Sequence, residues 1–194
     1  MKFLKFAAAA AVIALTFSNP ANAALLLGST GSSLNTVTNY RQAGLVSFDL
    51  ELRDFSGARL NFVLEEADLA GPLSLNAIIM NLRGLSMPKF NFDLQGITFA
   101  GAGSVTAGFG TIGSVSHTAS NANIAFAQGE TTDFYFGNPL ELNGYSNWLL
   151  DTTGMRAGDT FSITAQVPEP STLALLLPML GMAGFMAKRR RKQG

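Results

Sequence analysis

The chain has 194 residues, and its 13 Lys and Arg against 13 Asp and Glu give a formal charge of zero. Sorted by position, seven of the cations sit at the two extremities, whereas residues 24–167 carry six cations against twelve anions, a net charge of −6 that argues against nucleic acid as a partner, since gripping phosphate needs a basic face. Hydrophobic residues at 47% with charged residues at 13% argue against intrinsic disorder, and the absence of Cys excludes disulfide frameworks, thiolate metal sites, Cys nucleophiles and a lipid-modified Cys.

The first segment reads as an address. Lys2 and Lys5 precede an uncharged run over residues 6–17, followed by Pro20, Ala21, Asn22 and Ala23. A charged n-region, an apolar h-region and an Ala-x-Ala arrangement predict a signal peptide over residues 1–23, cut by signal peptidase before Ala24. As a helix, the apolar run would span only about 18 Å, short of a bilayer core of about 30 Å.

From Ala24 onward the dominant period is two. Val46, Phe48, Leu50 and Leu52 alternate with Ser47, Asp49 and Glu51, and Leu60, Phe62 and Leu64 follow the same rule. Leu64 to Leu69 suggests one helical turn. Phe90, Phe92 and Leu94 alternate with polar residues until the apolar phase jumps at Gly96 to Ile97 and Phe99, as at a bulge or turn. Ile124 and Phe126, Phe134 and Phe136, then Phe161, Ile163 and Ala165 continue the pattern. Half-buried antiparallel strands fit this best, with turn chemistry between them at residues 55–57, 70–72, 140–144 and 156–159. The expected fold is all-β, a single β-sandwich or jelly-roll domain over residues 24–166, its eleven Phe mostly in the core.

Candidate chemistry within the body is sparse. Gly108, Gly110 and Gly113 make a formal G-x-G-x-x-G, but Ser114, Val115, Ser116, His117 and Thr118 are poor helix formers, so no helix N-terminus is expected to face a pyrophosphate. His117 is the only histidine and is expected on an edge strand or in solvent, and with one His and no Cys neither a Ser-His-Asp triad nor a metal site is expected. The carboxylates Glu65, Glu66 and Asp68, and Glu130 with Asp133, read as solvated surface. Tyr40, Tyr135, Tyr145 and Trp148 have rings with polar tips suited to stacking on sugar, and Tyr145 and Trp148, close together where a sandwich presents its loops, are the candidate sugar contacts.

The last residues combine Val167, Pro168, Glu169, Pro170, Ser171 and Thr172 with an apolar run at 173–187 and the block Lys188, Arg189, Arg190, Arg191 and Lys192. Two prolines make the junction extended and poor in backbone donors. The apolar run is marginal as a membrane span and is interrupted by Pro178, Gly181 and Gly184, while the five cations stop translocation and stay in the cytoplasm. This order describes a transmembrane sorting helix used as a transient anchor. The Thr-less Leu177-Pro178-Met179-Leu180-Gly181 inside the run is unlike a sortase tag, and a GPI signal lacks a terminal basic block.

On these residues the tail over 167–194 resembles a PEP-CTERM sorting signal, the substrate tag of exosortases in Gram-negative bacteria, a tail also found on some ice-binding proteins. The body has a single Thr-x-Thr, Thr36 and Thr38, and no repeated array for an ice-matching face. The resemblance implies export through the Sec translocon, transient retention in the inner membrane, cleavage by an exosortase near Pro168, Glu169 and Pro170, and release to the cell surface or extracellular matrix. It also implies an association with exopolysaccharide and biofilm; the sparse chemistry of the body adds the expectation of a structural or adhesive role there, with no catalysis and no cofactor. The alternative is a carbohydrate-binding module or a matrix-acting hydrolase.

Overall fold

The computed structural model describes residues 24–168, so the expected signal peptide (1–23) and the tail from residue 169 lie outside the described residues. Among those described the chain forms β1 (Leu25–Gly31), β2 (Thr36–Gln42), β3 (Leu45–Glu51), β4 (Ala58–Val63), a 3₁₀ turn (Glu66–Leu69), β5 (Leu73–Met80), β6 (Lys89–Gln95) and β7 (Thr98–Gly101). It continues with β8 (Val105–Phe109), β9 (Ile112–His117), β10 (Asn121–Phe126), β11 (Asp133–Phe136), β12 (Trp148–Asp151) and β13 (Thr160–Gln166). The body is therefore all-β, in two sheets. No helix among the described residues is long and apolar enough to cross a membrane.

The first sheet runs β1-β4-β13-β6-β10-β9 and is antiparallel throughout. The second runs β2-β3-β5-β11-β8 and branches at β5. One edge of β5 pairs with β3 from Ser74 to Met80, and the other is shared between β11, at Ala77 to Ile79, and β12, at Leu73 to Leu75, with β7 hung on β12. The β3–β5 pairing is parallel, which departs from the all-antiparallel expectation. The cause is topological: β4 lies in the other sheet, so the chain returns to the second sheet through a crossover rather than a hairpin.

The alternation read from sequence sets the inward face. Val46, Phe48 and Leu50, then Leu60 and Phe62, Phe90 and Phe92, and Ile163 and Ala165 are buried, while Ser47, Asp49 and Glu51 stand half-exposed on the opposite face. The phase jump at Gly96 has a physical cause. Gly96 takes φ +80°, and a Cβ there would lie 2.9 Å from the Thr160 carbonyl oxygen, so glycine alone lets the chain turn sharply out of β6 and carry Ile97 and Phe99 inward on the way to the other sheet.

The sheets meet through aromatic rings. Phe92 of the first sheet lies 4.2 Å between centroids from Phe136 of the second, and Phe90 and Phe126 each reach Phe134, at 5.3 and 5.2 Å. Phe136 in turn stacks on Trp148 at 4.5 Å and 11°. Nine of the eleven Phe in residues 24–167 are buried. Phe55 is half-buried under the Arg83 guanidinium, and Phe109 departs from the expected core placement, standing 65% exposed where β8 ends at the border of its sheet.

The short turn expected at residues 64–69 is the 3₁₀ turn, but Asp68 is not the solvated carboxylate expected. It is 1% exposed and accepts hydrogen bonds from the backbone N–H of Glu65 (2.9 Å) and Gly44 (3.2 Å), because a turn with unpaired donors draws in a short acidic side chain.

We predict that Trp148→Ala, which empties the space between Phe99 and Phe136, lowers unfolding stability by about 3–5 kcal/mol in a denaturant titration. Circular dichroism of residues 24–167 is expected to show a β signal with little helix.

Candidate functional site

The outer face of the second sheet carries a concavity. Alternation along β2, β3 and β5 turns Tyr40, Ser47, Asp49, Ser74, Asn76 and Ile78 away from the core, and the loop over residues 137–147 folds across them. Between sheet and loop lies a groove of about 510 Å³ whose lining is mostly polar side chains, with Asp49 and Glu141 as its carboxylates.

The loop is held in place by its own side chains. It leaves β11 at Gly137, with φ +76°, where a Cβ would come 2.7 Å from the Leu75 carbonyl oxygen, so the close approach to β5 requires glycine. Asn138 accepts the Leu142 N–H at 2.8 Å and donates to the Leu142 and Tyr145 carbonyls at 3.0 and 3.2 Å, closing the loop on itself. At the other end, Asn147 Oδ1 accepts the Asn138 N–H at 2.8 Å and Asn76 Nδ2 at 3.2 Å, which ties the loop to the sheet. Glu141 is the sole non-glycine with positive φ among the described residues, at 52°, and it lines the groove.

Two details give the groove chemical character. The Tyr40 hydroxyl donates to Asp49 Oδ2 at 2.7 Å. That hydrogen bond, and then the carboxylate's charge, raise the phenol's pKa above its ordinary value. Asn76 is 3% exposed and its Oδ1 has no partner, so a buried acceptor borders the groove unsatisfied. On the other side of the loop a hollow of about 200 Å³ is lined by Ala107, Tyr135, Leu142 and Tyr145. Three tyrosines thus flank one loop on one face.

Of the two expected sugar contacts, Tyr145 is 44% exposed at the rim of this hollow. Trp148 is corrected by the structure: it is 0% exposed, its indole stacked on Phe136 with Nε1 donating to the Ser104 carbonyl at 3.2 Å, so neither ring face is open to a sugar. It starts β12 pointing inward, and a two-faced aromatic there is worth more to the core than to the surface. Sequence reasoning missed Asn76 and Asp49. The signal for Asn76 was an amide at an outward position in the apolar run LSLNAIIM.

The remaining candidates are placed plainly. His117 lies at the end of β9, on the edge of the first sheet, exposed, with its ring edge-on to Trp148 at 5.4 Å. The G-x-G-x-x-G spans the end of β8 and the start of β9 and opens a strand. Asp133 Oδ1 accepts the Asn81 N–H at 2.6 Å, a structural task. Among the described residues no group of three or more His, Asp or Glu is placed to hold a metal ion. Ala24, the first described residue, is buried, and Val167 and Pro168 follow directly on β13. Ala21, Ala23, Glu169, Pro170 and residues 188–192 lie outside the described residues.

We predict that Asn147→Ala, which strands the Asn138 N–H and the Asn76 amide, costs about 1–3 kcal/mol. Hydrogen exchange is expected to accelerate at Asn138 and Leu142 and to stay slow along β6 and β13.

No curated protein and no solved structure matches the chain. Residues 166–191 match the family model described as the PEP-CTERM protein-sorting motif, a match that starts at the last residue of β13 and covers the tail only. The chain thus carries a PEP-CTERM sorting motif, the mark of an exported protein that an exosortase processes.

Proposed function

We propose that the protein is a non-catalytic structural or adhesive component of the extracellular matrix of a Gram-negative bacterium, released from a transient inner-membrane anchor, and that its body holds exopolysaccharide on the outer face of the second sheet. The observation that carries this reading is the placement of Tyr40, Tyr135 and Tyr145 around one side-chain-tied loop, beside a groove of amides, hydroxyls and carboxylates. Tyrosine rings offer apolar faces to sugar rings with a polar tip for their hydroxyls, and a loop already fixed loses little entropy on binding. Asp49 and Glu141 favour a neutral or cationic polymer over an anionic one.

Affinity electrophoresis in the producer's own exopolysaccharide tests it. Tyr40→Ala and Tyr145→Ala are expected to abolish retardation while leaving the unfolding midpoint nearly unchanged, and retardation that survives both removes the assigned face. The alternative, a matrix-acting hydrolase, draws on the presence of Asp49 and Glu141 in one groove. It would show as reducing ends released from the polymer and lost in Asp49→Asn and Glu141→Gln. Intact mass of the protein recovered from the cell surface is expected to begin at Ala24 and to lack residues 173–194, and recovery of the Arg189 to Arg191 peptide would mean a permanent anchor.

A further inference from the structure

The first sheet ends in two strands with no further strand hydrogen-bonded on their outer sides among the described residues, each lying next to the border strand of the second sheet, β1 by β2 and β9 by β8. β1 and β9 are its borders, and both are largely exposed. A bare edge presents a row of unpaired N–H and C=O groups, and soluble proteins ordinarily guard it with Lys, Pro or an inward-pointing charge. Neither β1 (LLLGSTG) nor β9 (IGSVSH) contains Lys, Arg, Asp, Glu or Pro. The eighteen charged side chains of the body, six cations and twelve anions, all lie off these two strands.

The polarity of the edges is complementary. Five antiparallel pairings in succession leave β1 and β9 running in opposite directions. A second copy placed beside the first in the same orientation therefore sets its β1 antiparallel to the first copy's β9, without inverting either molecule. The second sheet has the same property: one parallel and three antiparallel pairings leave its borders β2 and β8 opposed. Both borders also offer length. After the irregularity at Leu26, β1 pairs regularly over Gly28 to Gly31, and β9 does so over Ser114 to His117. Exposed apolar side chains stand at both borders, Leu27 on β1 and Phe109 at the end of β8, just before β9.

We propose that copies of this protein join head to tail, β1 of one against β9 of the next, so that the first sheet continues from copy to copy as one antiparallel ribbon. A heterologous contact of this kind does not close on itself and builds a filament, which suits a protein delivered outside the cell. The net charge of −6 opposes the association at low ionic strength, and salt near 0.15 M, with a Debye length of about 8 Å, relieves it.

The test uses the processed protein recovered from the cell surface, by analytical ultracentrifugation over rising concentration and salt. The mass is expected to pass beyond two copies, and filaments in electron micrographs to repeat every six strands, about 29 Å at 4.8 Å per strand. Ser29→Lys on β1 and Val115→Lys on β9 each place a charge at an exposed edge position that pairs with a buried residue, Leu60 and Ile124 respectively. Each variant alone is expected to stay monomeric. Their equimolar mixture is expected to form dimers and nothing longer, since one intact β9 and one intact β1 remain. Wild-type protein that stays monomeric at every concentration overturns the proposal, as does a Ser29→Lys variant that still dimerises while Val115→Lys does not, which would mean β9 pairing with its own copy. If either variant loses its β signal in circular dichroism, the wild-type repeat decides alone.

Discussion

The contact between Phe92 and Phe136 fixes how the two sheets sit on one another. Phe92 projects from β6 and Phe136 from β11, and their rings at 4.2 Å leave no room for another side chain or for water between those strands. Phe136 then has one face left, and Trp148 occupies it, in parallel stacking at 4.5 Å. Phe99 completes the group against the same indole at 5.1 Å, so the segment entering the second sheet after Gly96 is clamped by rings rather than by a long ladder. Contacts of this kind contribute about 0.5–1.5 kcal/mol each beyond the area they bury.

The outer surface depends on that inner packing. Because Trp148 is held inward, Asn147, its neighbour in sequence, is delivered to the opposite side of the sheet, where its carbonyl oxygen joins the loop over residues 137–147 to Asn76. The branch at β5 makes the room: β11 occupies only the far half of that strand's edge and β12 the near half, and the loop that connects them must fold out over the face. The groove is therefore a by-product of one strand serving two partners: Tyr40 of β2 lines it, while Tyr135 of β11 and Tyr145 of the loop line the hollow on the loop's other side.

The sequence was most informative where one face is dry and the other wet. β3, β4, β6, β10, β11 and β13 each show their alternation directly, and the phase change at Gly96 was legible because a single residue carries both the turn and the change of sheet. β5 was obscured by Ile78 and Met80, apolar residues on its outer face, and β1, β2, β8 and β9 by lying at borders, where burial imposes little pattern. The parallel β3–β5 pairing leaves no local trace, since it depends on which sheet β4 joins. Tyr145 was visible as a surface ring, whereas Trp148 misled: ring chemistry alone does not say which face of a strand a residue takes, and the short β12 gives too few residues to read its phase. The tail needed no fold at all, since its motif is linear.

β13 is the last strand of the body and also one of the innermost of its sheet, paired on one side with β4 and on the other with β6. Until residues 160–166 arrive, β1 with β4 and β6 with β10 and β9 are two separate patches with no strand pairing between them. A chain delivered from its N-terminus therefore cannot complete this sheet before its C-terminal strand arrives, and the order of the strands alone delays its closure. The sorting motif begins at Gln166, the last residue of β13, so the strand that completes this sheet runs directly into the segment that marks the protein for an exosortase.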